Sequence, residues 1–315
     1  MKISAVVPVK NGEKFIEASI ENLLINTTKN DEVIYIDDNS SDATLQTLLD
    51  YKKKIDRLKI FKNRGFGLVD ALNYGISKAS NTWIARFDVD DICTPNRIKE
   101  QRQLFSNDVA AIFCDYEFVD EKMNSLGKIL SPVLPSATLI SLINSQRTAH
   151  SGVIFSKKYF TEVGGYRKAD FPVEDLSLWL RMGEKGKLIS VPENLLFYRL
   201  HQDSVTANNR QIIDAKRAKI IDSYINLIFT VDISKADEIW KTYKQLPNPN
   251  ERQILFFRDY LTLLNNKSAN WEKIVFQFKY YPRIFFNIKN IFILLKLYRQ
   301  RRVRTKYRNG YLKKL

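Results

Sequence analysis

The sequence predicts an α/β protein in which a central sheet is layered between helices, and three observations carry that expectation. Short β-rich runs alternate with helix-period segments through the first half of the chain. Two of those runs end in acidic clusters, Asp37–Asp38 and Asp88–Asp91, and open α/β sheets bind ligands beyond the carboxyl ends of their strands. The 315 residues are 44% hydrophobic and 27% charged, enough apolar chain for one large core or two smaller ones.

Each element follows from its local pattern. Ile3–Val9 reads as a strand, Glu13–Leu24 as a helix, Glu32–Asp37 as a strand, Thr44–Tyr51 as a helix, Leu58–Lys62 as a strand, Leu68–Lys78 as a helix and Trp83–Asp88 as a strand. After Pro95 the pattern gives a helix over Arg97–Phe105, a strand around Ala110–Cys114 and a hairpin through Asn124–Gly127. Ser136–Asn144 reads as a helix, His150–Phe155 as a strand, Leu176–Met182 as a helix and Leu188–Pro192 as an extended segment. From Val205 onward the period is helical, with Ile212–Phe229, Ala236–Leu246 and Glu251–Leu264 as helices. The expected organisation is an α/β domain over 1–205, a helical extension over 206–270 and a basic amphipathic tail over 271–315.

Composition narrows the function classes. Eleven Gly and nine Pro exclude collagen-like and low-complexity chains, and two cysteines, Cys93 and Cys114, exclude a disulfide-stapled domain. Met1–Val9 lacks a signal-peptide core, and no apolar run reaches the roughly 18–20 residues that span a bilayer, so a cytoplasmic location is expected. The formal charge of +15 is concentrated: Trp271–Leu315 holds thirteen bases against one acid, Glu272, leaving +3 for the first 270 residues. A nucleic-acid protein would line a groove with bases and stacking aromatics, so nucleic acid is not an expected partner.

No G-x-G-x-x-G follows the first strand and no G-x-x-x-x-G-K-[ST] is present, which removes the main support for dehydrogenase and P-loop readings. In Arg86-Phe87-Asp88-Val89-Asp90-Asp91, a strand would present Asp88 and Asp90 on one side of its pleat with Asp91 at the next turn. Hard divalent cations take such oxygen ligands, although Asp91 can equally cap a helix near Pro95. Glu174-Asp175 opens an amphipathic helix, where the macrodipole stabilises negative charge and either a helix cap or a chemical role is open.

Six segments occur in a telling order: ISAVVPVKNG (3–12), YIDDNSSD (35–42), NRGFGLVDALNYGI (63–76), ARFDVDDICTPNR (85–97), GGYRKADFPVEDLSLWLR (164–181) and YRLHQDS (198–204). Together they resemble the family 2 glycosyltransferases over roughly residues 1–205. That resemblance implies the GT-A fold, a Rossmann-like mixed sheet between helices, with donor binding in 1–100 and the acceptor side in 101–205. It also implies inverting transfer of a sugar from a nucleotide diphosphate, with a UDP-sugar expected, and a divalent metal, Mn²⁺ or Mg²⁺. Carried over by position, Pro8 and Val9 lie against the nucleobase and Asp38 hydrogen-bonds it, with Lys10 standing where many relatives have an aromatic residue. Asn63, Gly65 and Gly67 line the donor, Asp88 faces the ribose, and Asp91 is a further metal or diphosphate-side contact. Asp90 and His201 hold the metal, and Arg199 faces the diphosphate. His150 and Glu174 belong to the acceptor side, and Asp175, the Asp of the family's E-D pair, is the catalytic base.

Processive relatives carry a Q-x-x-R-W motif and membrane-spanning helices, and neither is present, so one sugar per encounter is expected. Phe285, Ile288, Phe292, Leu295 and Tyr298 share one helix face before an almost purely basic run, Arg299–Arg308. Such a segment suits an anionic membrane surface, where each base is worth about 1 kcal/mol. The expected partners are therefore a nucleotide-sugar, a saccharide or lipid-linked oligosaccharide acceptor, and the inner face of the cell membrane. The competing expectation is a catalytically inactive module that binds a sugar nucleotide or glycan.

Overall fold

The computed structural model describes residues 1–133, 135–144, 148–201 and 209–224. The chain divides into two compact units. The first is Met1–Leu142 with Gln146–Thr230; the second, Ile143–Ser145 with Val231–Leu315, lies almost wholly outside the described residues. The helices expected at Ala236–Leu246 and Glu251–Leu264 and the basic tail fall outside them too.

The first unit is built on a mixed sheet. Strands β1 (Ile3–Val9), β2 (Glu32–Asp37), β3 (Leu58–Lys62) and β4 (Trp83–Arg86) run parallel in the order β3-β2-β1-β4. All seven residues of β1 are buried, the continuous apolar run of a strand covered on both faces. Helices α1 (Glu13–Asn26), α2 (Thr44–Lys52) and α3 (Leu68–Lys78) connect them. In α1, Ile16, Ile20 and Leu23 recur at three- and four-residue steps and are buried. α3 packs closely on β1 and β2, because a Cβ on Gly75 would come within 2.8 Å of both Val6 and Ile36.

Beyond β4 the sheet becomes mixed. The two-residue β5 (Ile92–Cys93) and helix α4 (Arg97–Arg102) precede the long β6 (Val109–Val119), which forms a hairpin with β7 (Ser125–Ile129). Helix α5 (Pro135–Asn144), β8 (Ile154–Ser156), α6 (Lys157–Glu162), α7 (Glu174–Gly183) and β9 (Lys187–Arg199) follow, then α8 (Arg210–Tyr224). β8 joins the halves, antiparallel to both β4 and β6, and the order continues β8-β6-β9-β5. Trp179 of α7 is fully buried edge-on to Phe113 of β6, with ring centroids 5.4 Å apart.

Three local expectations are corrected. β4 stops at Arg86, so Asp88 and Asp90 lie in the loop after the strand rather than on its pleat. The expected strand at His150–Phe155 is Ile154–Ser156, with His150 in the bend ahead of it, because only Ile154 and its successors meet β4 and β6. β5 and α6 carry no sequence signal strong enough to be expected; β5 exists only through its pairing with Leu196 and Phe197 of β9. Strands β6 and β9 also run past their expected ends, since each is the other's parallel partner over most of its length.

Candidate active site

The carboxyl ends of the four parallel strands assemble the donor side. The Asp38 amide donates to the Val9 carbonyl at 2.7 Å, and the Asn63 amide to the Asp37 carbonyl at 2.8 Å, so the ends of β1, β2 and β3 are tied together. Asp38 is buried; its carboxylate accepts from Asn63 Nδ2 at 2.6 Å and from the Gly67 amide at 3.0 Å. The Gly65 amide donates to Asn63 Oδ1 at 3.1 Å. Asp38, Asn63, Gly65 and Gly67 are therefore one hydrogen-bonded cluster at the sheet edge. Both glycines are required by geometry: Gly67 has φ +86°, and a Cβ on Gly65 would lie 2.0 Å from Asp70 Oδ2. Pro8 and Val9 end β1 beside this cluster, while Lys10 is exposed.

The acidic loop after β4 is the second component. Ligand oxygens of Asp88, Asp90 and Asp91 all lie within 4.8 Å of one another. Asp91 is already committed, since Ser151 Oγ donates to its Oδ2 and the Arg199 amide donates to its Oδ1 at 2.9 Å. Burial, then the charges of Asp90 and Asp88, hold the Asp91 carboxyl well above the usual carboxylate range. Asp88 receives Arg86 at 2.6 Å; burial raises its carboxyl more than that guanidinium lowers it, and Asp90 adds to the rise. His201 Nε2 meets Asp90 Oδ2 at 2.6 Å, while His201 Nδ1 is buried with no partner among the described residues. Arg199 donates through Nε to the Asp90 carbonyl at 2.9 Å and through a terminal nitrogen to the Glu121 carbonyl at 2.8 Å. The structure thus brings Asp88, Asp90, Arg199 and His201 together although 111 residues separate Asp90 from His201. Oxygen donors on Asp88 and Asp90 beside one imidazole suit a hard or borderline divalent cation. Residues 202–208, including Ser204 of the YRLHQDS segment, lie outside the described set.

The third component is the start of α7. Its N-cap position is Val173, with no side-chain cap bond, so neither Glu174 nor Asp175 caps the helix. Asp175 is half-buried in the first turn and accepts the Leu176 amide at 2.7 Å. Glu174 is 4% exposed, and its Oε2 has no partner among the described residues. Burial, then the neighbouring Asp175 charge, pushes its carboxyl up to about 8, with Asp88 adding to the rise and Arg86 opposing it. His150 pairs through Nε2 with the Tyr166 hydroxyl at 2.7 Å and packs edge-on to Trp179; burial and the Arg86 charge hold its imidazole well below the ordinary range, so it is neutral at pH 7.

Glu174 makes stability depend on pH in a definite direction. Between its ordinary value of 4.5 and about 8 the folded chain holds a proton that the unfolded chain has released, so this group's contribution declines as pH rises through that window. The slope approaches about 1.4 kcal/mol per pH unit at most. Glu174→Gln should flatten it: chemical denaturation at pH 5.5 and 8.5 should show wild type losing more stability than the variant, by of order 2 kcal/mol. Equal losses would contradict the buried, protonated Glu174.

Several residues that brace the strands and loops around the site are given no role by the sequence reading. Asn73 of α3 both donates to the Tyr166 carbonyl at 2.9 Å and accepts the Tyr166 amide at 3.1 Å, and Lys168 pairs with Asp70 at 2.6 Å, which ties the acceptor-side loop to the donor side. Arg97, fully buried, donates to the carbonyls of Arg86 and Val153. Lys216 of α8 donates to the carbonyls of Ala169 and Phe171 in the same loop, and Arg217 faces the charge of Asp175. These pairings between segments far apart in the chain are visible only once the chain has folded.

Comparison with known proteins supports the same assignment. Glycosyl transferase family 2 matches residues 4–162. An uncharacterized glycosyltransferase of Haemophilus influenzae is 31% identical over 242 residues, covering 72% of this chain and 75% of that protein. One from Rickettsia conorii is 34% identical over 211 residues, covering 64% of this chain; the match spans 34% of that relative's length. Among solved structures, S. aureus TarS 1-349 in complex with UDP-GlcNAc has a TM-score of 0.57 at 14% identity, covering 84% of this chain and 89% of that one. A mannosyltransferase from Pyrobaculum calidifontis in complex with GDP-Man and Mn²⁺ has a TM-score of 0.55 at 13% identity, covering 96% and 86%. At such identities the two structures speak for the GT-A fold alone. With its mixed sheet, its acidic loop at the strand ends and a family match over residues 4–162, the chain belongs to glycosyl transferase family 2.

Proposed function

We propose that the protein is an inverting, metal-dependent glycosyltransferase that moves one sugar at a time from a UDP-sugar to a saccharide or lipid-linked acceptor in surface-polysaccharide synthesis. The observation that carries this reading is that Asp88 and Asp90 present oxygens within 4.8 Å of one another and that His201 Nε2 meets Asp90 Oδ2 at 2.6 Å. Residues 1–205 form the catalytic part in this reading, with 1–100 facing the donor and 101–205 the acceptor. UDP as the nucleotide is supported by the UDP-GlcNAc complex of a protein with the same fold and by a buried Asp38 with a backbone-lined cluster around it.

Asp90 and His201 would hold the divalent ion, and a bound ion neutralises charge on the departing diphosphate, which removes the need for a general acid. The chain's own residues do the rest. Asp38 and Asn63 orient the base, Asp88 orients the ribose, and Arg199 keeps the Asp90 loop in place through its carbonyl. Asp175 takes the proton from the attacking acceptor hydroxyl, while Glu174 and the neutral His150 shape the acceptor side. No helix among the described residues is long and apolar enough to cross a membrane. The basic tail, on its sequence, supports peripheral contact with an anionic membrane.

Thermal shift with UDP-, GDP- and dTDP-sugars, each with and without Mn²⁺, tests the donor and metal together. The UDP-sugar with Mn²⁺ should raise Tm most, since a ligand that binds only the folded state at about 100 times its Kd adds about 2.7 kcal/mol. No shift with any of the three would overturn the reading. Turnover of the donor in the presence of acceptor separates the enzyme from an inactive binding module.

A further inference from the structure

Two arginines are fully buried next to the acidic loop, and they differ in what they touch. Arg97 is 0% exposed; it stacks on Phe87 at 4.2 Å, and its guanidinium bonds the carbonyls of Arg86 and Val153, Gln101 Oε1 and Cys93 Sγ. Gln101 then bonds the carbonyls of Ile112 and Gly152 at 2.9 and 2.8 Å. This network staples β4, β6 and the segment before β8, and every group it touches is structural. Arg86 is 1% exposed and makes no such staple. Its partners are the carbonyl of the next residue, Phe87, and the carboxylate of Asp88 at 2.6 Å, while its Nε is buried with no partner among the described residues.

A buried guanidinium carries a desolvation penalty of several kcal/mol, and apolar side chains of similar volume often replace buried ion pairs without loss of stability. With Arg97 already holding the strands, stability gives no reason for a second charge here. The charge of Arg86 does face the site from within: it acts on Asp88 on the donor side and on Glu174 on the acceptor side. Asp88, Asp90 and Asp91 bring their carboxylate oxygens within 4.8 Å of one another, and Arg86 is the buried guanidinium paired with one of them, Asp88, at 2.6 Å.

We propose that Arg86 is a positioning residue for transfer, whose guanidinium holds Asp88 in place for the donor and offsets the carboxylates where the donor and acceptor sides meet. This rests on the donor reading given above. The residue acts through Asp88 and does not itself touch the substrate, so its removal should be felt in nucleotide affinity more than in folding.

The test is calorimetric titration of the full-length chain with UDP at saturating Mn²⁺, alongside Tm, for wild type and Arg86→Met, Arg86→Lys and Arg97→Met. Removing a side chain that orients a liganding carboxylate typically costs 10–100-fold in affinity, so Arg86→Met should weaken UDP by about 10-fold or more. Arg86→Lys keeps the charge and loses the fork, and should recover part of that loss. Arg97→Met should lower Tm at least as much as Arg86→Met and leave UDP affinity within about threefold of wild type. The proposal is overturned if a folded Arg86→Met or Arg86→Lys binds UDP as wild type does, or if Arg97→Met loses as much affinity as Arg86→Met. If Arg86→Met does not fold, Arg86→Lys against Arg97→Met decides in the same way. A wild-type chain that fails to bind UDP but binds GDP or dTDP moves the titration to that nucleotide; one that binds none overturns the donor reading and this inference with it.

Discussion

Asp175→Asn is expected to reduce sugar transfer by at least about 10²-fold, because loss of a positioned general base typically costs 10²–10⁴-fold, while Tm and nucleotide affinity stay near wild type. The geometry isolates the chemical effect from the structural one. Val173 occupies the N-cap position, and the contact made by Asp175 Oδ1 is with the Leu176 amide at 2.7 Å, a bond that an Asn carbonyl oxygen can keep. Asn forfeits the interaction of a charge with the first turn, about 0.3–1 kcal/mol, together with its attraction to Arg217. An amide cannot accept the acceptor's proton. Glu174→Gln should retain more activity, since a side chain that is already protonated near neutrality changes little when it becomes an amide. Transfer at near wild-type rate by Asp175→Asn, measured with the true acceptor, would move the base to Glu174 or to Asp170, which Ser177 already binds.

Asp90→Ala is expected to abolish both transfer and the gain in nucleotide affinity that a divalent ion provides, and chelation of wild type should have the same effect. The loop itself should survive the substitution. Arg199 holds the Asp90 main-chain carbonyl at 2.9 Å, and the Arg199 amide with Ser151 holds Asp91, and neither contact uses the Asp90 side chain. His201→Ala should be milder, because water can replace one ligand, although it also removes the 2.6 Å partner of Asp90. Titration of UDP into each variant with and without Mn²⁺ checks this, and undiminished transfer in excess EDTA would refute it.

The alternating strand and helix periods of residues 1–80 were fully legible because each element there is defined locally. β1, β2, β3 and α3 fall at their expected bounds, since an unbroken apolar run or a three-to-four step needs no knowledge of its partner. The acidic pairs, the Gly65 and Gly67 turn and the Arg199–His201 segment were legible as residue types in order. Their spatial company was not: His201 reaches Asp90, and Ser151 reaches Asp91, only because β8 and β9 return beside β4 and β5.

The sequence by itself therefore determined the fold class and the family. The tertiary structure alone decided where β4 ends, that β5 exists, that Asp91 is bonded on both oxygens, and that Arg86 and Arg97 differ in their partners. The physical reason is the range of the interactions. Periodicity and turn chemistry act over a few residues and are written in the local sequence. Desolvation and charge pairing depend on which distant segments exclude water around a side chain, and an arginine in a sequence looks the same whether it ends in solvent or beneath a carboxylate.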